Sequence, residues 1–303
     1  MLPAGALIGI SIERYAQTIE RKPIMKPKSR FVLITGSSTG IGYGAAKELI
    51  RRGYTVFGSV RKKEDADRVK SELGAGFLPL LFDVTDAAAV GRAVAEVKGQ
   101  CNGQGLGGLI NNSGISVPGP IELLSVEEIA YNFEVNVFGA LRVTKAFLPL
   151  LGAQKDHPSS PGRILNMSSA AGKLAGPYMA PYAGTKHALE GISHAMRLEF
   201  MRYGITVIII GPGAIQTPIW DKTSLQRFEG TSYYDSLAKF YGKALAAGKD
   251  GMPLEKCSRQ IGDIFETERP KIRYAIVQNK FLKWTLPTLL PQRALDSFFK
   301  KMM

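Results

Sequence analysis

The stretch that most narrows what this chain can become is GSSTGIG, residues 36–42. It lies between a short apolar run, RFVLIT at 30–35, and a helix-like segment that ends at Gly53. An apolar run bounded by glycine reads as a parallel strand buried on both faces. Glycines at 36, 40 and 42 permit a tight turn, and they let the backbone approach a pyrophosphate resting on the helix N-terminus. The spacing is GxxxGxG rather than GxGxxG. A merely flexible turn is the plain alternative, but the strand on one side and the helix on the other favour a nucleotide site. The candidate contacts are Gly36, Ser38, Thr39, Gly40, Ile41 and Gly42.

The pattern of that first unit repeats. YTVFGSV, FLPLLFDV, LGGLINNSG, RILNMSS, ITVIIIGPG and a short RYAIV at 273–277 read as strands, with helical segments between most of them. Asp86 is placed to cap one helix, and Ser125 with Glu128 forms a capping box on another that runs through Asn136 toward Leu150. Strands alternating with helices predict an α/β fold, a doubly wound parallel sheet of Rossmann-like form with right-handed crossovers. Residues 1–29 read as an N-terminal extension, 30–278 as one dinucleotide-binding domain in which 217–270 is a helical excursion, and 279–303 as an amphipathic C-terminal tail.

At the end of the second strand, NAD-binding folds place an acid roughly twenty residues after the glycines, to hold the ribose 2′-hydroxyl. Here that place is Val60, followed by Arg61, Lys62 and Lys63. Cations where the acid belongs favour a 2′-phosphate and hence NADP(H), with Arg61 and Lys62 as its contacts; a solvated basic turn is the alternative.

A second constellation lies at 163–188. Ser168 and Ser169 end a predicted strand, Tyr182 follows thirteen residues after Ser169, and Lys186 four residues after that. On a helix the i,i+4 step puts phenol and ammonium on one face. Carbonyl reduction needs a proton for the developing alkoxide, and an ammonium that lowers a tyrosine's pKa helps to supply it. YxxxK alone also arises by chance as an aromatic beside a surface lysine; the serine and the glycine turn argue for chemistry.

On these motifs the chain resembles the short-chain dehydrogenase/reductase family over roughly residues 30–220. Thr35 to Gly42 is similar to its TGxxxGxG turn, and Asp83, with Val84 beside it, to the acid that contacts adenine. Asn111 to Gly114 resembles its NNAG with Ser113 for Ala, and the stretch from Pro212 to Thr217 resembles its PGxxxT. The resemblance implies Asn136, Ser169, Tyr182 and Lys186 as a catalytic tetrad. Tyr182 is then the acid in reduction and the base in oxidation. Lys186 lowers the tyrosine pKa and bonds the nicotinamide ribose, Ser169 orients the substrate oxygen, and Asn136 holds a water that passes protons to Lys186. It adds Asn112, Gly114, Pro212, Gly213, Ile215 and Thr217 to the cofactor contacts, and a homo-oligomer, dimer or tetramer. The long segment 217–270 carries Trp220, Phe228, Tyr233, Tyr234, Phe240 and Tyr241, as an apolar lid would. The overall look is closest to members acting on retinoids, steroids and other lipophilic alcohols.

The implied activity is NADP-dependent interconversion of an alcohol and a ketone or aldehyde on a small lipophilic substrate, linked to lipid metabolism. A catalytically silent NADP(H) sensor and a membrane-surface scaffold are the alternatives, and the intact tetrad argues against the sensor. Net charge is +13, but no nucleic-acid-binding motif accompanies it. Cys101 and Cys257 are far apart, and His157, His187 and His194 show no metal-ligand spacing. The chain therefore reads as cytoplasmic, with no metal. No apolar run is long enough to span a bilayer. Residues 256–303 carry ten Lys or Arg against four Asp or Glu, among them many Leu, Phe and a Trp. Such a tail either lies on an anionic leaflet at the membrane periphery or packs on the protein.

Overall fold

The structure is a computed structural model that describes residues 28–154, 160–218 and 225–300. Most of the proposed N-terminal extension, and Trp220 and His157, lie outside the described residues. The elements, in chain order, are β1 (Phe31–Ile34), α1 (Gly40–Arg51), β2 (Thr55–Val60), α2 (Lys63–Leu73), β3 (Phe77–Leu81) and α3 (Ala87–Gln100). There follow β4 (Gly108–Asn111), α4 (Val126–Phe133), α5 (Ala140–Phe147), β5 (Arg163–Met167), α6 (Ala180–Phe200) and β6 (Thr206–Pro212). The chain then forms α7 (Tyr234–Lys249), α8 (Leu254–Glu266) and β7 (Arg273–Ile276), and the tail contributes α9 (Leu286–Leu289) and α10 (Gln292–Lys300).

All strand pairs are parallel, and the sheet order is β3-β2-β1-β4-β5-β6-β7. The chain winds outward from β1 to β3, then returns to lay β4 on the other side of β1. That reversal opens a crevice at the carboxyl ends of β1 and β4, where ligands of such sheets bind.

Why the strands are mainly apolar follows from the two layers. Val32 and Ile34 of β1 pack with Leu49 of α1 and Ile261 and Phe265 of α8, while Leu33 between them packs with Val90 of α3 and Val143 and Phe147 of α5. Ile208 and Ile210 of β6 face the first layer and Val207 the second. Successive side chains point to opposite faces and helices cover both, so the central strands are almost wholly buried, while Leu81 at the end of the edge strand β3 is exposed. The helix starts are set locally. Asp86 accepts the Ala89 N–H at 2.9 Å, and the Ser125–Glu128 capping box is complete.

The tail is not one helix. Phe281–Thr285 forms a wide turn continuous with α9, and the chain bends at Leu290 before α10. Pro287 sits in the first turn of α9, and Pro291 follows the bend. Leu295 is buried and Phe299 lies near Gly176, so α10 packs on the body. Phe281, Leu282, Leu286, Leu289 and Leu290 stay exposed.

Candidate active site

A cleft of about 470 Å³ opens at the reversal point, lined by the glycine turn, the ends of β2 to β6 and the first residues after each, and α7. Gly36 (φ +67°) and Gly40 (φ +60°) hold left-handed backbone that other residues avoid. Gly42 is needed for closeness. A Cβ there would lie 2.3 Å from the Gly36 oxygen and 2.4 Å from Asn112 Nδ2. Asn112 Nδ2 donates to the carbonyls of Thr35 and Gly36, both at 3.0 Å, and the Thr35 hydroxyl accepts from the N–H groups of Asn112 and Ser113. The turn after β4 thus pins the turn after β1. Two further supports were not apparent from sequence. Ser59 Oγ accepts from the Gly36 N–H at 3.0 Å, and Arg68 of α2 donates to the Ser38 carbonyl at 2.7 Å.

The start of α1 fits an anion. Its N-cap, Thr39, makes no side-chain cap bond, and no acid lies in the first turn. The first N–H groups are therefore left to a ligand's oxygens. At the neighbouring end of the cleft Val60 and Arg61 take the place of the missing acid, and Arg61 stands 3.8 Å from Asp83 with its side chain 68% exposed. Asp83 is oriented by the Thr85 N–H and hydroxyl, at 2.9 and 2.8 Å. Val84 lines the cleft beside it. Lys62 is exposed at the N-cap of α2 and is not among the cleft-lining residues; Arg61 is the cation that reaches the wall.

Tyr182, Lys186 and Ser169 converge midway along the cleft, next to Gly114, Pro212, Gly213, Ile215 and Thr217. Tyr182 and Lys186 are one turn apart on α6, with the Lys186 Nζ 5.6 Å from the centre of the Tyr182 ring. Lys186 is buried and donates to the Met167 carbonyl at 2.8 Å. Burial lowers its pKa to about 8. Burial also pushes the Tyr182 phenol up, and the Ser169 hydroxyl beside it is the opposing influence. Of these two influences burial is the larger, and the phenol is raised from its ordinary value. Ser169 Oγ accepts from the Ala171 N–H at 3.1 Å and points its own donor toward the Pro212 carbonyl at 3.5 Å.

Asn136 is one layer behind the cleft wall, 1% exposed. It sits in a widened π-helical turn, Glu134–Gly139, between α4 and α5. Such turns re-aim a side chain at functional positions. Its amide clamps Ile115, accepting the N–H at 2.8 Å and donating to the carbonyl at 2.9 Å, and it donates to Thr185 Oγ1 at 3.0 Å. A Cβ on Gly114 would come within 3.2 Å of Asn136 Oδ1 and 3.6 Å of Lys186 Nζ, so the glycine lets all three meet.

Beyond Tyr182 the wall turns apolar: Ile115, Pro118, Met179, Phe240, Tyr241 and Ala244, with Ser116 among them. Of the aromatics assigned to a lid, Phe240 and Tyr241 reach the cleft. Phe228 is buried in a small cluster with Leu124 and Leu237, and the Tyr233 hydroxyl donates to Glu122 at 2.5 Å. These contacts hold the excursion down on the β4–α4 loop.

A family model described as short chain dehydrogenase matches residues 30–227. The NADPH-dependent 3-dehydrocapnine reductase of Ornithobacterium rhinotracheale is 37% identical, over 90% of this chain and 96% of its own. The 3-ketodihydrosphingosine reductase of Bacteroides thetaiotaomicron is 31% identical, over 91% of this chain and 99% of its own. Among solved structures, a short-chain dehydrogenase from Streptomyces avermitilis superposes with a TM-score of 0.73 at 26% identity, covering 90% of this chain and 97% of its own.

Proposed function

Because the chain belongs to the short-chain dehydrogenase/reductase family and is an oxidoreductase that interconverts alcohols and carbonyls, we propose that it reduces a lipophilic ketone at the expense of NADPH. The observation that carries the reading is one continuous cleft. It runs from an uncapped helix start and Arg61, past Ser169, Tyr182 and Lys186, to an apolar wall. NADPH supplies the hydride when bound. The glycine turn and the first N–H groups of α1 hold its pyrophosphate, and Arg61 holds its 2′-phosphate. Ser169 orients the substrate oxygen. Tyr182, kept protonated by burial, gives its phenolic proton to that oxygen as charge develops. Lys186 releases a proton near pH 8 and is placed to return one to Tyr182, with Asn136 fixing the neighbouring backbone.

One relative is named as a reductase of 3-dehydrocapnine and another of 3-ketodihydrosphingosine, and a long-chain 3-keto substrate fits the apolar wall here. The substrate we favour is such a 3-keto lipid. The test is loss of NADPH absorbance with a panel of 3-keto long-chain amines, steroids, retinal and short water-soluble ketones. Turnover of the long-chain ketones at lower KM than the short ones is the expected result; preference for short polar ketones would remove the lipid assignment.

Two partner assignments belong to the same proposal. The exposed side chains Val126, Tyr131, Phe138 and Leu198 lie on α4, the π-helical turn and α6, and we assign them to a homo-oligomer interface. Light scattering that shows a monomer would oppose this. The exposed Phe281, Leu282, Leu286, Leu289 and Leu290, with Lys283 among them and Lys280 and Arg293 on either side, suit peripheral contact with an anionic bilayer. No helix among the described residues is long and apolar enough to cross a membrane.

A further inference from the structure

Tyr182 and Lys186 share their face of α6 with a third ionisable residue one turn on, Glu190. Glu190 is 2% exposed. Its Oε1 accepts the Ser168 hydroxyl at 2.8 Å, Arg273 of β7 meets both its oxygens, with Nε at 2.9 and 3.1 Å, and Lys173 Nζ lies 3.2 Å from Oε2. Arg273 does not stop there. Its second arm donates to the Ser169 carbonyl at 3.1 Å, and its guanidinium lies 4.1 Å from the centre of the Trp284 ring in the tail. The end of β5 is therefore gripped twice, Ser168 by its side chain and Ser169 by its backbone.

The fold makes room for this arrangement. A Cβ on Gly211 would stand 2.4 Å from the Arg273 guanidinium, and one on Gly172 would stand 2.4 Å from Ser168 Oγ and 2.7 Å from Glu190 Oε1. A buried charge pair is a poor source of net stability, because desolvation offsets the attraction. A planar fork that fixes two groups at once is, in contrast, a good source of geometry.

We propose that Arg273 is a positioning residue for Ser169, and that Trp284, stacked on its guanidinium, couples the C-terminal tail to the reaction centre. Trp284 covers one face of the guanidinium, and such stacking restrains an arginine that would otherwise swing toward water. The orientation of the Ser169 hydroxyl is set through its own backbone, so slack at Trp284 reaches the substrate oxygen. This rests on the assignment of Ser169 to the reduction described above.

The test compares steady-state NADPH consumption, with a ketone that the wild type reduces, among wild type, Trp284→Ala, Trp284→Phe and Arg273→Gln. NADPH affinity is measured by fluorescence titration in parallel. Arg273→Gln leaves Glu190 short of its partner and endangers folding, so Trp284→Ala, at a half-buried tail position, carries the decision. Because misplacement of about 1 Å can lower turnover about 100-fold, we expect kcat to fall about 3- to 10-fold in Trp284→Ala and about 100-fold in Arg273→Gln. KM and NADPH affinity should stay within about twofold, and Trp284→Phe should restore most of kcat, since a ring face is what the guanidinium needs. An active wild type with unchanged kcat in Trp284→Ala overturns the inference alone, as does a loss that appears only in cofactor affinity or thermal stability. A wild type that consumes NADPH with no ketone removes the proposed function and this inference with it.

Discussion

Replacing Lys186 with methionine should make the ligand-free protein more stable at neutral pH while destroying its activity. Burial holds the Lys186 ammonium at about 8, against an ordinary value of 10.5. At pH 7 the amine is charged in both the folded and the unfolded chain, so the folded state carries the whole penalty, about 3 kcal/mol at 1.36 kcal/mol per pKa unit. Methionine removes that penalty but leaves the Met167 carbonyl without its donor, which costs roughly 1 to 2 kcal/mol. The net expectation is a gain of about 1 to 2 kcal/mol at pH 7. The sign of the pH dependence follows from proton counting. Between about 8 and 10.5 the unfolded chain binds more protons at this site than the folded one, so the wild type gains stability as pH rises through that window. By pH 10 its penalty is below about 1 kcal/mol, and the advantage of Lys186→Met shrinks by about 2 to 3 kcal/mol and vanishes or reverses. Equilibrium urea unfolding of both proteins at pH 7 and pH 10 measures the difference, and titration of all other groups cancels between them. A difference that does not move between the two pH values, or a variant clearly less stable at pH 7, would refute the account of Lys186 as a buried, strained cation.

Three other outcomes follow. Val60→Asp combined with Arg61→Ala should move preference from NADP(H) toward NAD(H) by 10-fold or more, about 1.4 kcal/mol or greater; equal wild-type use of both cofactors would contradict the role of Arg61. Gly42→Ala sets a Cβ 2.3 Å from the Gly36 oxygen, so it should distort the turn and weaken NADPH binding at least 10-fold by titration, with a lower melting temperature. A chain ending at Gln278 should lose flotation with anionic vesicles at low salt that the full chain shows; full-length protein that stays in the soluble fraction would exclude the membrane contact.

The parts of the site that were legible in the sequence are those whose geometry is local. Gly36 to Gly42 is one turn and the start of one helix, and Tyr182 and Lys186 are one helical step apart, so spacing alone puts their atoms together. The alternation of strands and helices sufficed for the sheet, since the central strands are mainly apolar for the same two-sided reason. What remained hidden depends on contacts between distant segments. Arg273 meets Glu190 across 83 residues, and Trp284 meets Arg273 only after the tail folds back along β7. A stripe of Tyr182, Lys186 and Glu190 at i, i+4 and i+8 was the available signal for the third member. The ordering of influences on the Tyr182 phenol was also out of reach, because desolvation depends on how closely Ser169 and the rest of the cleft wall surround it. Lys62 and Arg61 looked equivalent in sequence and differ in that Arg61 lines the cleft while Lys62 is the exposed N-cap of α2. Phe228 and Tyr233 resembled lid residues by composition, but their partners, Leu124 and Glu122, come from the loop after β4.

The central claim, that Tyr182 delivers the proton in a ketone reduction, is tested most directly by Tyr182→Phe. The variant removes one oxygen from a ring that the cleft already holds, so NADPH should bind within about twofold of wild type. Turnover of the ketone should fall by about 100- to 10,000-fold, the range supplied by a positioned general acid. A Tyr182→Phe protein that binds NADPH normally and still turns over at a third of the wild-type rate or faster would contradict the claim.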